Sequence, residues 1–319
     1  MFIAHFSVKP REQIFLSDLL VGHNNSFFED NQILENIEKI KDAEVLSVFI
    51  YDQVTAEIIN QLPNLKLVTT RSTGFDHIDL EACKQKNILV SNVPTYGENT
   101  VAEHTFALLL ALSKNIYRQV SRTRSCVFEY QDLLGFDLAK KTLGIIGTGH
   151  IGMHAIKIAK GFGMEIIAFD VVKNKFLEEV FGFKYVSKEE LFAKSDIISL
   201  HAPYNKHTHH MLNKEAFSLM NNGVTIINTS RGGLINTEDL IQALDSGKVR
   251  GAGLDVLENE QELLDCDSNS NLFALVSRDN VIFTPHTAFY TLDAENRILE
   301  TTVENILALT KQAPINIVF

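Results

Sequence analysis

The segment from Thr142 to Asp170, TLGIIGTGHIGMHAIKIAKGFGMEIIAFD, constrains the fold more than any other stretch of this chain. Its apolar run Leu143 to Ile146 breaks into three glycines, Gly147, Gly149 and Gly152, and resumes as an apolar pattern of helical period. That order reads as strand, tight turn, helix. Gly147 lets the chain turn without a Cβ, Gly149 lets backbone approach a pyrophosphate, and Gly152 lets the helix lie close to the strand. A phosphate is then expected on the helix N-terminus, where unpaired N–H groups and the helix dipole favour an anion. A second apolar run, Glu165 to Phe169, ends in Asp170, 18 residues after Gly152. A carboxylate there accepts from both ribose hydroxyls of an adenosine and repels a 2′-phosphate, so the expected cofactor is NAD rather than NADP.

Strand and helix patterns alternate on both sides of this motif. Before it, strands are expected at Phe2 to Phe6, Val45 to Ile50, Leu65 to Thr69 and Ile88 to Ser91, with helices at Arg11 to Leu20, Asn31 to Lys41, Ala56 to Gln61 and Asp79 to Lys86. After it, strands are expected at Ile197 to Leu200, Val224 to Asn228, Ala252 to Val256 and Val281 to Thr284, with helices at Lys188 to Ala193 and Glu238 to Ser246. Such alternation implies parallel sheets covered on both faces, the second of them six-stranded and doubly wound. Thr100-Val-Ala-Glu103 reads as a capping box opening a helix whose stripe runs Val101, Thr105, Leu109, Leu112, Ile116 and Val120. Other faces of that helix are apolar too, which suits a domain junction or a subunit interface. A last helix, Leu292 to Lys311, is expected to return to the first domain. At 319 residues the chain fits two domains at roughly 150 residues each. The fold class is therefore α/β, with two doubly wound parallel-sheet domains: residues 1–99 with 291–319, and residues 100–290.

Charge and cysteine content narrow the partners. The net charge of −11 argues against nucleic acid or an anionic membrane as the main partner. Cys83, Cys126 and Cys266 are odd in number and far apart, which suggests neither a disulfide framework nor a zinc site and fits a reducing cytoplasm. No apolar run approaches the ~18 residues of a membrane span, and no signal-peptide pattern opens the chain. His201, His207, His209 and His210 crowd one loop, but no acidic or cysteine partner stands at ligand spacing. No metal is expected there, and the four read as loop residues beside the adenine.

Ligands bind at the carboxyl ends of parallel strands, and three strand ends here deliver an arginine, acids and a histidine. Val224 to Asn228 leads into Thr229-Ser230-Arg231, Ala252 and Gly253 into Leu254-Asp255-Val256-Leu257-Glu258-Asn259-Glu260, and Val281 to Thr284 into Pro285-His286. That set suits hydride transfer to a carbonyl. Arginine forks onto a carboxylate and polarises the adjacent carbonyl. Histidine as a residue type exchanges protons near neutrality, and a carboxylate behind it favours the imidazolium and fixes its tautomer.

Six segments, taken with their order, resemble the D-2-hydroxyacid dehydrogenase family over nearly the whole chain. They are Arg71-Ser-Thr-Gly74-Phe-Asp-His-Ile-Asp79, Ser91-Asn-Val-Pro-Thr-Tyr96, Glu98-Asn-Thr-Val-Ala-Glu-His104, Gly147-Thr-Gly-His-Ile-Gly152, Asn228-Thr-Ser-Arg-Gly-Gly233 and Thr284-Pro-His-Thr-Ala-Phe-Tyr-Thr291. The last, without tryptophan, is similar to the lactate and hydroxyisocaproate types rather than to hydroxypyruvate or glyoxylate reductases. The resemblance implies a flavodoxin-like substrate domain and a Rossmann NAD domain with a cleft between them, reducing pyruvate or a slightly larger 2-oxo acid.

Residue by residue, the resemblance implies that Arg231 binds the 2-oxo acid, His286 is the general acid/base, and Glu260, selected over Glu258 by its spacing from Arg231, is the paired acid. Asp255 would hold the nicotinamide carboxamide. Thr100, Gly147, Gly149, His150, Ile151, Gly152, Asp170, His201, Ala202, Pro203, Thr208, Thr229, Ser230 and His286 would complete the cofactor site. The backbone of Ser72, Thr73 and Gly74 would meet the substrate carboxylate, and Tyr51, Tyr96 and Phe289 would line the side-chain pocket. His150 stands where many members carry arginine, as in lactate-type members, and Lys140 stands where glycine is frequent, a change that reads as neutral. The acidic stretch Gln261 to Asn271 lacks the usual proline and receives no role. A cytoplasmic homodimer through the NAD-binding domain is expected, with a small 2-oxo or 2-hydroxy acid as partner. The competing readings are another specificity within the family, or an NAD-sensing corepressor-like binding protein.

Overall fold

The computed structural model describes residues 1–265 and 270–319, which form two compact units, Met1–Tyr96 with Thr291–Phe319, and Gly97–Tyr290. Cys266 lies outside the described residues, as do 267–269 of the acidic stretch. Cys83 and Cys126 are free thiols. Among the described residues no helix is long and apolar enough to cross a membrane.

The first unit is built on five parallel strands, β1 (Phe2–His5), β2 (Asn24–Phe27), β3 (Val45–Val48), β4 (Leu67–Thr70) and β5 (Leu89–Ser91), in the order β2-β1-β3-β4-β5. Helices α1 (Pro10–Leu19), α2 (Ala56–Gln61) and α3 (Leu80–Gln85) connect them. One layer of core, around Leu46, Val48, Ile59, Val68 and Val90, covers one face of the sheet. The other face packs Ile3, Leu16, Val45 and Leu67 against Leu299, Val303 and Ile306 of the C-terminal helix Leu292–Thr310.

Two elements differ from expectation in this unit. β2 is an edge strand reading NNSF, paired only with β1, so no apolar alternation announces it. The helix expected at Asn31 to Lys41 is a series of turns with one 3-10 turn at Ile37–Lys39. Asp30 Oδ1 accepts from Gln32 N at 2.9 Å and starts the turns, while Ile33 and Ile40 reach the core without a regular helix.

The second unit opens with α4 (Glu98–Ser113) and α5 (Ile116–Arg124). There follow β6 (Thr142–Ile146), α6 (His150–Gly161), β7 (Glu165–Phe169), α7 (Lys175–Phe181), β8 (Lys184–Tyr185), α8 (Lys188–Lys194) and β9 (Ile197–Leu200). The unit closes with α9 (Lys214–Leu219), β10 (Val224–Asn228), α10 (Thr237–Asp245), β11 (Val249–Leu254), α11 (Asn271–Val276) and β12 (Val281–Phe283). All pairings are parallel, in the order β12-β11-β10-β9-β6-β7-β8, so the direction of winding reverses between β6 and β9. The sheet has seven strands rather than the expected six, because the two-residue edge strand β8 is too short to leave a pattern.

Helix α4 starts earlier than the capping-box reading places it. Gly97 is the N-cap, and Glu103 accepts from Asn99 Nδ2 at 3.2 Å rather than reaching back to Thr100. Nor does the stripe continue to Val120: Asn115 turns the chain at φ 51, and Ile116 and Val120 are exposed. Asparagine tolerates that left-handed turn, and the apolar residues beyond it leave the core. Lys140 has φ 65, so the departure from glycine is not neutral; a Cβ in the left-handed region costs about 1 kcal/mol.

Candidate active site

The glycine loop joins β6 to α6 and fits a dinucleotide. Gly147 has φ 96, and a Cβ on it would lie 2.4 Å from the His201 carbonyl oxygen. A Cβ on Gly152 would lie 2.1 Å from the Gly147 oxygen, so this glycine is required for the helix to sit against the turn. Gly149, the N-cap of α6, faces open space. His150 and Ile151 form the first turn of α6, with His150 exposed. A bare backbone at the mouth of a helix N-terminus suits a pyrophosphate. At the end of β7, Asp170 accepts from Thr148 N at 2.7 Å, Thr148 Oγ1 at 3.0 Å and Val172 N at 2.9 Å. The Tyr185 hydroxyl lies 2.8 Å from Thr148 Oγ1. Thr148 and Tyr185 thus orient the Asp170 carboxylate. Thr148 could have been found by its place inside the glycine motif, whereas Tyr185 arrives only through β8.

The loop after β9 holds His201, Ala202, Pro203 and Thr208. His201 bonds Ser199 Oγ at 2.9 Å through Nε2, while Nδ1 is buried with no partner among the described residues, and burial pushes the imidazole down to about 4. Thr208 Oγ1 donates to the Pro203 oxygen at 2.7 Å and accepts from Asn205 N at 2.8 Å, which staples the loop to itself. His210 leans towards β10 and β11: its N donates to the Gly233 oxygen at 2.9 Å and its Nε2 lies 2.9 Å from Glu258 Oε1.

The sequence shows no acid at ligand spacing from these histidines, but the fold brings Glu258 to His209 and His210, with one ligand atom of each within 4.8 Å of the others. Asn236 Oδ1 is committed to Asp239 N, so its amide N–H₂ faces His210 Nδ1 at 3.3 Å. His210 therefore carries its proton on Nε2, where Glu258 accepts it.

Thr229, Ser230 and Arg231 follow β10. Thr105 Oγ1 donates to the Val101 oxygen at 2.9 Å and so accepts from Thr229 Oγ1 at 2.9 Å, tying this loop to α4. Thr100 is buried in the first turn of the same helix. Ser230 Oγ donates to the Leu200 oxygen at 2.6 Å, and Asn228 Nδ2 donates to the Arg231 oxygen at 2.9 Å. Arg231 Nη1 donates to the Ser230 oxygen at 2.8 Å. A Cβ on Gly232 would lie 2.0 Å from the Leu257 carbonyl carbon, so the arginine loop rests directly on the backbone that leads to Glu258 and Glu260.

Of the two acids, Glu260 lies against the candidate acid/base: its Oε1 is 3.0 Å from His286 Nδ1, and its Oε2 accepts from Leu257 N at 3.0 Å. Both side chains are about one-fifth exposed (19% each), shielded enough for the pair to hold its geometry. His286 has φ 54, and its N–H donates to the Asp255 and Thr284 carbonyl oxygens at 2.8 Å each. The Asp255 carboxylate is buried and accepts from Thr284 Oγ1 at 2.5 Å, Thr287 N at 2.9 Å and Ala288 N at 2.8 Å. It anchors the histidine loop, with Oδ1 accepting two of these bonds and Oδ2 the third. Phe289 meets Tyr290 edge-on, with ring centroids 5.9 Å apart.

In the first unit, Tyr51 follows β3 and is partly exposed, and Tyr96 closes the segment, its carbonyl accepting from Arg297 Nη1 at 3.1 Å. The turn Ser72–Gly74 follows β4. Ser72 Oγ donates to the Gly74 oxygen at 2.6 Å, and Thr73 is held by Thr73 Oγ1 to the Val93 oxygen at 2.9 Å and by Asn92 Nδ2 to the Thr73 oxygen at 2.7 Å. Among the described residues the N–H groups of Ser72, Thr73 and Gly74 meet no acceptor, as an anion-binding turn requires. Arg71 beneath the turn is fully buried on the Phe6 oxygen at 2.6 Å, the Ser7 oxygen at 2.9 Å and Ser47 Oγ at 3.0 Å.

Residues 106–288 match the model of the D-isomer specific 2-hydroxyacid dehydrogenase NAD binding domain. A 2-hydroxyacid dehydrogenase homolog from Haemophilus influenzae is 38% identical, covering 97% of this chain and 96% of its own. A D-lactate dehydrogenase from Escherichia coli is 36% identical over 98% of this chain and 97% of its own. A crystal structure of D-lactate dehydrogenase from Aquifex aeolicus, complexed with NAD and lactic acid, superposes with a TM-score of 0.93 at 41% identity, covering 99% of this chain and 98% of that one. With the glycine loop, Asp170 and the strand-end histidine in place, the chain belongs to the D-isomer-specific 2-hydroxyacid dehydrogenases, NAD-dependent oxidoreductases acting on a CH–OH group.

Proposed function

We propose that this enzyme reduces pyruvate, or a slightly larger 2-oxo acid, to the D-2-hydroxy acid, as a D-lactate dehydrogenase. The observation that carries the reading is the pairing of His286 with Glu260 beside the Arg231 loop. NADH, when bound, supplies the hydride. His286 gives the carbonyl oxygen its proton from Nε2, because Nδ1 is turned to Glu260. Glu260 holds the ring in that tautomer. Arg231 forks onto the substrate and polarises its carbonyl, and the N–H groups of Ser72 to Gly74 take the carboxylate. Tyr51, Tyr96 and Phe289 set the size of the side-chain pocket. The first unit is thus the substrate domain, and Gly97–Tyr290 the domain that holds NAD through Gly149, His150, Ile151, Asp170, the His201 loop and Asp255.

A homodimer through the NAD-binding unit is part of the same reading. It is supported by Tyr117 (62% exposed), Phe128 (73%), Tyr130 (73%) and Leu134 (91%), a run of apolar side chains too exposed to belong to a core. The free thiol of exposed Cys126 suits the reducing cytoplasm.

The deciding experiment follows NADH oxidation with pyruvate, 2-oxoisocaproate, phenylpyruvate, glyoxylate and hydroxypyruvate. Pyruvate is expected to have the highest kcat/KM, and Glu260→Gln to lower kcat about 10²–10³-fold. No turnover with any of the five overturns the activity. A preference for glyoxylate or hydroxypyruvate overturns the specificity, and near-normal turnover by Glu260→Gln overturns the mechanism.

A further inference from the structure

His104 stands outside the machinery described above, yet it reaches into what supports it. It lies on α4 with Nε2 at 3.0 Å from Thr284 Oγ1 and 3.5 Å from Asp255 Oδ1. The Thr284 hydroxyl carries one proton and lies 2.5 Å from a carboxylate oxygen that can only accept. That proton therefore goes to Asp255, and the lone pairs of Thr284 face His104. Nε2 of His104 must then be a donor. A directed chain results, from His104 Nε2–H to Thr284 Oγ1–H to the Asp255 carboxylate, linking α4 to the ends of β12 and β11.

The end of that chain is what gives it consequence. The Asp255 side chain is 1% exposed and accepts from Thr287 N and Ala288 N as well, so its donors flank His286 on both sides. His286 itself has φ 54, a left-handed conformation that a residue with a Cβ keeps only when its surroundings hold it. A buried carboxylate holds best when every acceptor position in use stays in use, since a lost donor leaves charge uncompensated.

We propose that His104 is a positioning residue for His286, acting through Thr284 and Asp255 to keep the imidazole turned with Nδ1 on Glu260. Loss of the His104 donor frees the Thr284 hydroxyl, loosens the grip of Asp255 on residues 284–288, and lets His286 leave its left-handed seat. The inference rests on the reading of His286 as the acid/base.

His104→Leu and His104→Gln test it together, since the side-chain amide N–H of glutamine can stand in for Nε2–H. His104→Leu is expected to lower kcat about 10- to 100-fold, the cost of misplacing a reacting group by a fraction of an ångström to an ångström, with NADH affinity little changed. His104→Gln is expected to recover most of that loss. Nitrogen-15 spectra of the substrate-free protein, with His286 assigned by His286→Gln, should show the Nδ1–H tautomer of His286 depleted in His104→Leu and restored in His104→Gln. Unchanged kcat in His104→Leu, a glutamine variant no better than leucine, or an unchanged His286 tautomer overturns the proposal. If His104→Leu fails to fold, Thr284→Val, which removes the middle link at constant shape, must show the same loss of kcat and the same spectral change, and its failure to do so overturns the proposal equally. Because the spectra need no substrate, a wild-type enzyme inactive on the five oxo acids would refute the functional reading and leave this measurement interpretable.

Discussion

Gly149 and Gly152 stand three positions apart at the start of α6, and the structure assigns them opposite consequences on substitution. Gly149 has φ −67 and ψ −168, which alanine adopts freely, and its added Cβ meets nothing within 4 Å. Alanine gains about 0.4–1 kcal/mol by restricting the unfolded chain and loses a similar amount, about 0.5–1 kcal/mol, as a poorer N-cap. Gly149→Ala should therefore leave stability within about 1 kcal/mol of wild type. The same methyl occupies the space over the α6 N-terminus assigned to the pyrophosphate. Losing one charge-assisted hydrogen bond there costs about 1.5–3 kcal/mol, or about 10- to 100-fold in the Kd for NADH. Gly152→Ala behaves in the reverse way: its Cβ lies 2.1 Å from the Gly147 backbone oxygen, so helix and turn must separate, at about 1–3 kcal/mol of folding stability. Urea unfolding and NADH fluorescence titration read the two effects separately. Unchanged NADH affinity in Gly149→Ala, or equal loss of stability in both variants, would refute the placement of the phosphate.

Two further outcomes follow from groups away from the cofactor loop. His5 is fully buried, stacked on Phe27, with burial and the nearby Arg71 guanidinium pushing its imidazole down to about 3. An unfolded chain binds that proton and the folded one does not, so stability is complete above the unfolded value of about 6.5 and falls as pH drops towards the folded value, by about 1.4 kcal/mol per pH unit. His5→Phe should reduce the slope of unfolding free energy between pH 6 and 5 by about that amount, and an identical slope would show that His5 takes up no proton on unfolding. The exposed run from Tyr117 to Leu134 predicts a dimer in sedimentation velocity; a monomer at all concentrations tested would remove the interface assigned to it.

The glycine loop, Asp170 and the second parallel sheet are legible in the sequence because each is local. A strand, a turn and a helix are encoded by residues that stand next to one another, and NAD follows from one carboxylate at a fixed spacing. Edge strand β8 and the broken α4–α5 helix are not legible, since the former is two residues long and the latter depends on one left-handed asparagine. Lys140 illustrates the same limit: its identity is plain in the sequence, its strained backbone only in the fold.

The site divides along the same line. Arg231, the two acids and His286 are recognisable as strand-end residues, but which acid faces which histidine is set by side-chain packing between separate loops. Tertiary structure put Glu260 on His286, the acid that its spacing from Arg231 selects, and Glu258 on His210, a pairing that no spacing in the sequence announces. It also joined His104, Thr284 and Asp255, residues up to 180 positions apart, into one hydrogen-bonded chain. Local propensity and motif spacing determine which elements form and which reactive groups stand at their ends. The pairings among those groups depend on strand order and on where each buried polar atom finds its partner, and those are properties of the folded chain alone.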